Sequence, residues 1–310
     1  MKKFSPFLYI LPAAAIIVLF RLVPIIISFV ISFFEWSVDG MGGFIGLQNY
    51  LDIVHDNEFW QSMVNTFWLV IFVVPSSLIL SLVFANLLNN IKFLRAFFRT
   101  VYFVPTVTSL VAISIVWKII FNQQSGLANY LLGLVGIEPL GWLAESDGVF
   151  KLLFEGIGVH LPVYMQGPSL ALFAIILVSV WRSLGYNTII YLAGLQNIPG
   201  VYYEAASIDG ASKTRQFLDI TIPMVSPTTY YVMMMTTITT FQVFSQVYLM
   251  TGPPIGGPLG TTKVIVYYIF DKGFGESGNL SYASAIALVL FGIILTLTML
   301  QKRLEKHVHY

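Results

Sequence analysis

Apolar positions gather into six runs along this chain, at residues 7–34, 66–88, 101–121, 169–192, 222–250 and 282–300, with polar segments of unequal length between them. At about 1.5 Å of rise per residue, about 20 apolar residues in helix cross the ~30 Å hydrocarbon core of a bilayer. The pattern predicts an all-α polytopic membrane protein, one transmembrane domain over 1–310 with six membrane-spanning helices. The first run, although interrupted by Arg21 and Pro24, is too long for a signal-peptide core and lacks a small-x-small cleavage site, so it reads as an uncleaved span.

Composition agrees with a membrane protein: 57% of residues are hydrophobic and 10% charged, against about 25% charged in soluble domains. Charge then orients the spans, because Lys and Arg concentrate in short cytoplasmic loops. With the N-terminus inside, Lys2, Lys3, Lys92, Arg95, Arg99, Lys213, Arg215, Lys302, Arg303 and Lys306 fall on the inner side. Only Lys151, Lys263 and Lys272 fall outside, which predicts cytoplasmic N- and C-termini. Residues 35–65, 122–168 and 251–281 are then outer loops, the first two of them candidate docking surfaces, and the basic inner loop 89–100 reads as an interfacial anchor or a partner contact, the anchor being the plainer reading. Without cysteine there is no disulfide, thiolate metal site or Cys nucleophile. His307 and His309 belong to a solvated tail, and no metal site is expected.

One inner segment, 196–221, is polar where the rest of the chain is not. Pro199 and Gly200 break the fourth run, "VYYEAASI" can start a new helix, Asp209-Gly210 favours a turn, and a second short helix runs from Ala211 to Ile222. Pro223 and Pro227 mark the start of the fifth run. An amphipathic connector in the lipid headgroup layer is the plain alternative. Glu204, Asp209 and Asp219 balance Lys213 and Arg215, however, which favours a protein surface over anionic lipid.

The same segment carries a family pattern: Glu204, Ala205, Ala206 and Gly210, then nine intervening residues before Ile220, Ile222 and Pro223. It resembles the signature loop of permease subunits of binding-protein-dependent ABC importers, with Ile222 where Leu is usual. "PIIISFVISFFEW", "FIGLQNYLDIV", "RTVYFVPTVTSLVAISIVWKIIF", "VWRSLGYNTIIYLAGLQNIP" and "YASAIALVL" extend the likeness over nearly the whole chain. They narrow it to carbohydrate importers of the maltose or glycerol-phosphate type, in the first of their two permease types. An extra stretch at 145–168 and the long "TGPPIGGP" depart from the pattern.

The resemblance implies a bacterial or archaeal cell-membrane subunit forming half of a heterodimeric pathway with a second permease subunit. A dimer of cytoplasmic ATPase subunits would bind ATP and Mg, leaving no cofactor on this chain, and an extracytoplasmic solute-binding protein would deliver a sugar or oligosaccharide. It also makes 196–221 a coupling loop, in which Glu204 and Asp209 meet the ATPase, Ala205 and Ala206 allow close approach, and Gly210 bends the chain.

Polar side chains inside a span usually face a cavity or another helix. In the fifth run Thr236, Thr240 and Phe244 fall on one helix face, and hydroxyls beside an aromatic ring suit a sugar. Gly185 and Thr188 in the fourth run, placed near solute by the resemblance, complete the candidate substrate pathway. Arg21 and Arg182 lie at membrane depth without an intramembrane acid, so a partner subunit or a water-filled path is expected to accommodate them. No Gly-x-x-x-x-Gly-Lys-Ser/Thr loop or catalytic constellation is present, and no nucleic-acid partner is expected. A stand-alone secondary transporter or channel is the alternative, but its usual internal repeats or filter sequence are not visible.

Overall fold

A computed structural model describes residues 5–37, 40–90, 95–155, 158–162, 165–252, 256–276 and 278–304; Lys2, Lys3, Lys92, Lys306, His307 and His309 lie outside the described residues. The chain divides into two compact units, residues 1–59 with 268–293, and residues 60–267 with 294–310.

Six uninterrupted spans are not what forms. Among the described residues, four helical stretches are long and apolar enough to cross a membrane. Helices α1 (Ser5–Ile17) and α2 (Val23–Ile31) join through a π-helical turn, Val18–Leu22, into the first stretch, Tyr9–Ile31. That turn holds Arg21 and precedes Pro24, whose missing N–H cannot bond the Phe20 carbonyl and so loosens the ladder. The other three are α4 (Asn57–Asn90), α9 (Leu170–Gln196) and α16 (Leu280–Leu304).

The expected third and fifth spans are both broken. Helices α5 (Arg95–Val107) and α6 (Leu110–Ile120) cover run 101–121, and their spanning portions bend by 106°, so the count reaches five only if this pair is one span. Pro105 removes a hydrogen bond inside α5, and extended Ser109 (φ −54°, ψ 128°) ends the helical path. Run 222–250 divides into α12 (Ile222–Met224), α13 (Ser226–Phe241) and α14 (Ser245–Met250). Helix α13, with 16 residues, is about 24 Å long, short of the ~30 Å core. Phe244, at φ −135° and ψ −61°, leaves the helical region. The apolar count of this run overlooked what its Thr and Gln residues do to the helix: side-chain oxygens compete for backbone groups and lower the segment's apolar average.

The first unit also contains short elements that the apolar runs do not reveal. Strands β1 (Phe34–Ser37) and β2 (Gly40–Phe44) form an antiparallel hairpin in which Phe34 pairs with Phe44, followed by α3 (Gln48–His55). Asp56 caps α4, accepting from the N–H groups of Glu58 at 2.9 Å and Phe59 at 3.3 Å. Its carboxylate also accepts the hydroxyls of Tyr268, on α15 (Ile265–Phe274), and of Tyr282, the latter at 2.6 Å. Burial alone would raise the Asp56 pKa; the two tyrosine and two backbone hydrogen bonds outweigh it and hold the carboxyl below its ordinary value. The Tyr268 hydroxyl moves upward, from burial and from donating to that carboxylate. Beside this cluster, Asn49 bonds the Ser32 carbonyl at 2.8 Å and the Ser281 hydroxyl at 2.6 Å.

In the second unit α9 is the axis: 61% of its most apolar window is buried, against 28% in α4 and 22% in α16. One core joins Leu69, Val73, Leu172, Ile175, Val178 and Val247, and another joins Ala85, Leu88, Tyr191, Leu195 and Val232. Before α9, helix α7 (Leu127–Leu134) is fastened by Asn129, which donates to the carbonyls of Gln123 and Leu140 and accepts from Trp142 Nε1 at 2.8 Å. The extra stretch 145–168 carries α8 (Val149–Glu155) and folds back on itself, Val149 N–H donating to the Pro168 carbonyl at 2.9 Å. It also packs Phe150 against Trp68 and Phe72.

Within the same unit the segment after α14 is pinned by Gln61 to the Leu259 carbonyl at 3.1 Å and by Asn65 to the Gly260 and Lys263 carbonyls. Pinning holds Leu259 at φ 53° with its side chain 83% exposed, a conformation that costs a residue with a Cβ about 1–2 kcal/mol. Leu259→Gly is therefore expected to raise the protein's thermal midpoint by a degree or more, read by melting of the purified complex, because strain is removed and no buried contact is lost.

Candidate functional site

Two features of the second unit carry the chemistry: a cavity and an exposed short helix. The cavity, about 300 Å³, lies among α9, α13 and the break that follows α13. Ser179, Arg182, Ser183, Tyr186 and Asn187 line it from α9. Met235, Thr236, Thr239 and Thr240 line it from α13, Val243 from the break and Gln246 from beyond it; Val73 and Thr106 complete the wall. Residues 236, 239 and 240 recur at helical spacing, so one face of α13 is aimed at the cavity.

The wall is ordered by hydrogen bonds. Asn187 Nδ2 donates to Thr236 Oγ1 at 3.1 Å. Ser179 Oγ lies 2.8 Å from the Ile175 carbonyl and 3.2 Å from Gln246 Oε1, and can donate to either. Ser183 and Thr239 give their hydrogens to the carbonyls of Val180 and Met235. Thr106 Oγ1 and Gln246 Nε2 are buried with no partner among the described residues. Buried polar atoms are normally hydrogen-bonded, and two spare ones on one cavity wall suit a polar occupant.

Of the expected pathway residues, Thr236 and Thr240 line this cavity, and the other three do not. Gly185 packs against α5: a Cβ built on it would lie 2.2 Å from the Tyr102 carbonyl and 2.6 Å from Thr106 Oγ1. Thr188 is 1% exposed, its hydroxyl without a partner among the described residues. Phe244 stacks with Tyr248 and Tyr267 instead, because the break after Phe241 turns it away and leaves Val243 on the cavity face. Arg182, one of the two cations that the apolar pattern leaves without an accommodation, lies on the cavity wall. Asn187 and Gln246, as amides, escape a reading that looks for hydroxyls and rings, and Thr106 lies in another run, 101–121; their only mark in the sequence is polarity within an apolar run.

The exposed helix is α10 (Gly200–Ile208), begun by Pro199 in an extended conformation. Val201, Glu204, Ala205 and Ile208 are all exposed and lie at i, i+3, i+4 and i+7, one face, with Ile208 87% exposed; Ala206 is half-buried. Asp209 caps the helix, and Gly210 (φ 78°) closes it in the left-handed conformation that favours glycine. The Ala211 N–H then returns to the Ala206 carbonyl at 2.8 Å.

Beyond the turn, α11 (Lys213–Gln216) starts at Ser212, whose hydroxyl accepts from the Arg215 N–H. Buried Gln216 ties the two helices together, donating to Ser207 Oγ at 2.9 Å and to the Ala211 carbonyl at 3.2 Å. Tyr203 adds a hydroxyl contact with Thr221 at 2.9 Å. The segment is a braced element that presents one face, with Glu204 and Asp209 both exposed.

Comparison with known proteins places this architecture. The chain is 36% identical to the lactose transport system permease protein LacF of Rhizobium radiobacter, covering 95% of this chain and 91% of that one. It is 32% identical to the probable ABC transporter permease protein YurN of Bacillus subtilis over 98% and 97% of the two chains. Among solved structures it shares the fold of a chain from a bacterial ABC transporter that imports the acidic polysaccharide alginate. The TM-score there is 0.78, with 19% identity, over 100% of this chain and 97% of that one. Residues 77–310 match the family described as binding-protein-dependent transport system inner membrane component. This chain belongs to that family, and is a multi-pass membrane permease component of an ABC import system.

Proposed function

We propose that this permease carries a sugar or oligosaccharide through the α9–α13 cavity and that α10 is its contact with the ATPase. The observation that carries the reading is the exposed face Val201, Glu204, Ala205 and Ile208, apolar and acidic together, on a helix braced from behind by Gln216 and Tyr203. Apolar surface held out at the end of a spanning helix suits a groove on another protein, while the brace transmits a push on α10 into α11 and α13. Similarity to a lactose permease supports sugar as the solute class. Lys213 and Arg215 beside α10 support a cytoplasmic position for it, since Lys and Arg concentrate in cytoplasmic loops. The ATPase dimer, second permease subunit and solute-binding protein are the remaining parts of such a system, and ATP and Mg act on the ATPase. In this setting the cavity alternates between access from each side as the ATPase subunits close and open.

Glu204 and Gly210 test the coupling. Glu204→Lys reverses a charge on an exposed face and costs the fold little. Gly210→Pro forbids the positive φ of the turn and removes the N–H that reaches Ser207. Both are expected to lower ATP-driven uptake at least tenfold while the four-part complex still assembles in the membrane. Normal uptake by both variants would remove α10 from the coupling path.

A further inference from the structure

Arg182 is residue 13 of the 27 in α9, mid-way along a helix that crosses the membrane, where an ionised side chain is costly unless it meets water or an opposite charge. It lines the cavity, none of the cavity's lining residues is Asp or Glu, and no described residue forms an ion pair with it. Ser179, Ser183 and Thr239 give their hydrogens within the protein and face the cavity as acceptors, so the uncommitted groups are few. Gln246 is 2% exposed, its Oε1 within reach of Ser179, while Nε2 has no partner among the described residues. Thr106 Oγ1 is likewise unpartnered. The wall thus offers hydroxyl oxygens and a spare amide N–H that suit a sugar's hydroxyls, and one cation with no acid beside it on this chain.

We infer that the solute carries an anionic group, a carboxylate, sulfonate or phosphate ester on a sugar, and that Arg182 is the residue that reads it. Guanidinium is suited to the task, since its planar fork matches the paired oxygens of such anions and it stays charged at every physiological pH. Gln246 and Thr106 serve the neighbouring hydroxyl or ring oxygens. Charge on the solute also accounts for the placement of Arg182: a cation with no acid beside it on this chain's cavity wall is matched while the solute passes. The inference rests on the sugar-permease reading above and narrows its substrate class.

The test uses the complete importer with its binding protein, in vesicles, and three matched probe pairs: trigalacturonate against its carboxyl-reduced neutral form, glucose 6-sulfonate against glucose, and glucose 6-phosphate against glucose. The wild type is expected to carry at least one anionic probe with a kcat/KM tenfold or more above its neutral partner. Arg182→Gln is expected to abolish that preference by lowering the anionic arm tenfold or more, and Arg182→Lys to retain part of it. The ratio of the two arms is the readout, because poor assembly lowers both together. Uptake of neutral probes alone overturns the anionic assignment and leaves the sugar reading intact. An unchanged ratio in Arg182→Gln, or an equal fall in both arms, overturns the role of Arg182. Failure to carry any of these five compounds overturns the sugar reading and this inference with it.

Discussion

Replacing Gly185 with valine is expected to abolish recovery of folded protein. Gly185 lies in α9 where α5 crosses it, and an added Cβ would sit 2.2 Å from the Tyr102 carbonyl oxygen, a backbone atom with no rotamer to escape into. Small residues let membrane helices approach this closely and gain dispersion and Cα–H contacts. Overpacking a core usually costs about 1–3 kcal/mol; here the obstacle is a carbonyl and the whole helix pair must separate, so the cost exceeds that range. Against a total stability of about 5–15 kcal/mol, Gly185→Val should leave little monodisperse protein after extraction, and Gly185→Ala an intermediate amount with a lowered melting midpoint. A Gly185→Val protein that melts like the wild type would mean that α5 and α9 do not meet as described. Since Thr106 lines the cavity and also lies 2.6 Å from the would-be Cβ, any Gly185→Ala protein that survives should show altered uptake as well.

Loss of the Asp56 carboxylate should be the second large effect. It caps α4, and it is the acceptor for the hydroxyls of both Tyr268 and Tyr282. A helix cap is worth about 1 kcal/mol and each hydrogen bond to a charged group about 1.5–3 kcal/mol. The terms overlap, so Asp56→Ala is expected to cost about 3–5 kcal/mol. Asp56→Asn keeps the cap and should cost about half as much.

The same group imposes a pH dependence. Its folded pKa lies below the ordinary carboxylate value, about 3.9 for an unperturbed Asp. The stabilisation is therefore complete above that value and is lost as pH falls through the lower, folded one. Thermal melts of the detergent-purified complex between pH 7 and pH 3 should lose stability at the acid end in the wild type, with a smaller loss in Asp56→Asn. Equal acid sensitivity in both would assign the effect to other carboxylates.

How much of this was legible beforehand follows from the kind of signal each element leaves. The residues Glu204, Ala205, Ala206 and Gly210 mark the exposed α10 turn because charge, smallness and positive φ are requirements met by residue type alone. Spans at 66–88, 169–192 and 282–300 were legible because each run is apolar over enough length. Continuity was not. Pro105 and the Thr-rich 236–240 stretch sit inside runs that are apolar on average, and average hydropathy does not register a bend of 106° or a helix ending at Phe241. The cavity suffered accordingly, since the stripe that joined Thr236 and Thr240 to Phe244 assumed an unbroken helix. The β1–β2 hairpin and the Asp56 cluster depend on partners distant in sequence, Phe34 with Phe44 and Asp56 with Tyr268, which no local pattern announces.

The interruption at Phe244 also sets what it costs to reshape the cavity. In α9, Ser179 and Asn187 are fixed to one another by a continuous ladder of backbone hydrogen bonds, and changing their separation means breaking several. Thr240 and Gln246 are separated by a residue already outside the helical region, so their separation changes by rotation about a few backbone torsions. One wall of the cavity is thereby a rigid rail and the other a jointed one, as in other hinge motions where a few residues at element ends absorb the change. A change in the cavity's width therefore falls on the side of α13 and α14 and leaves α9 in place.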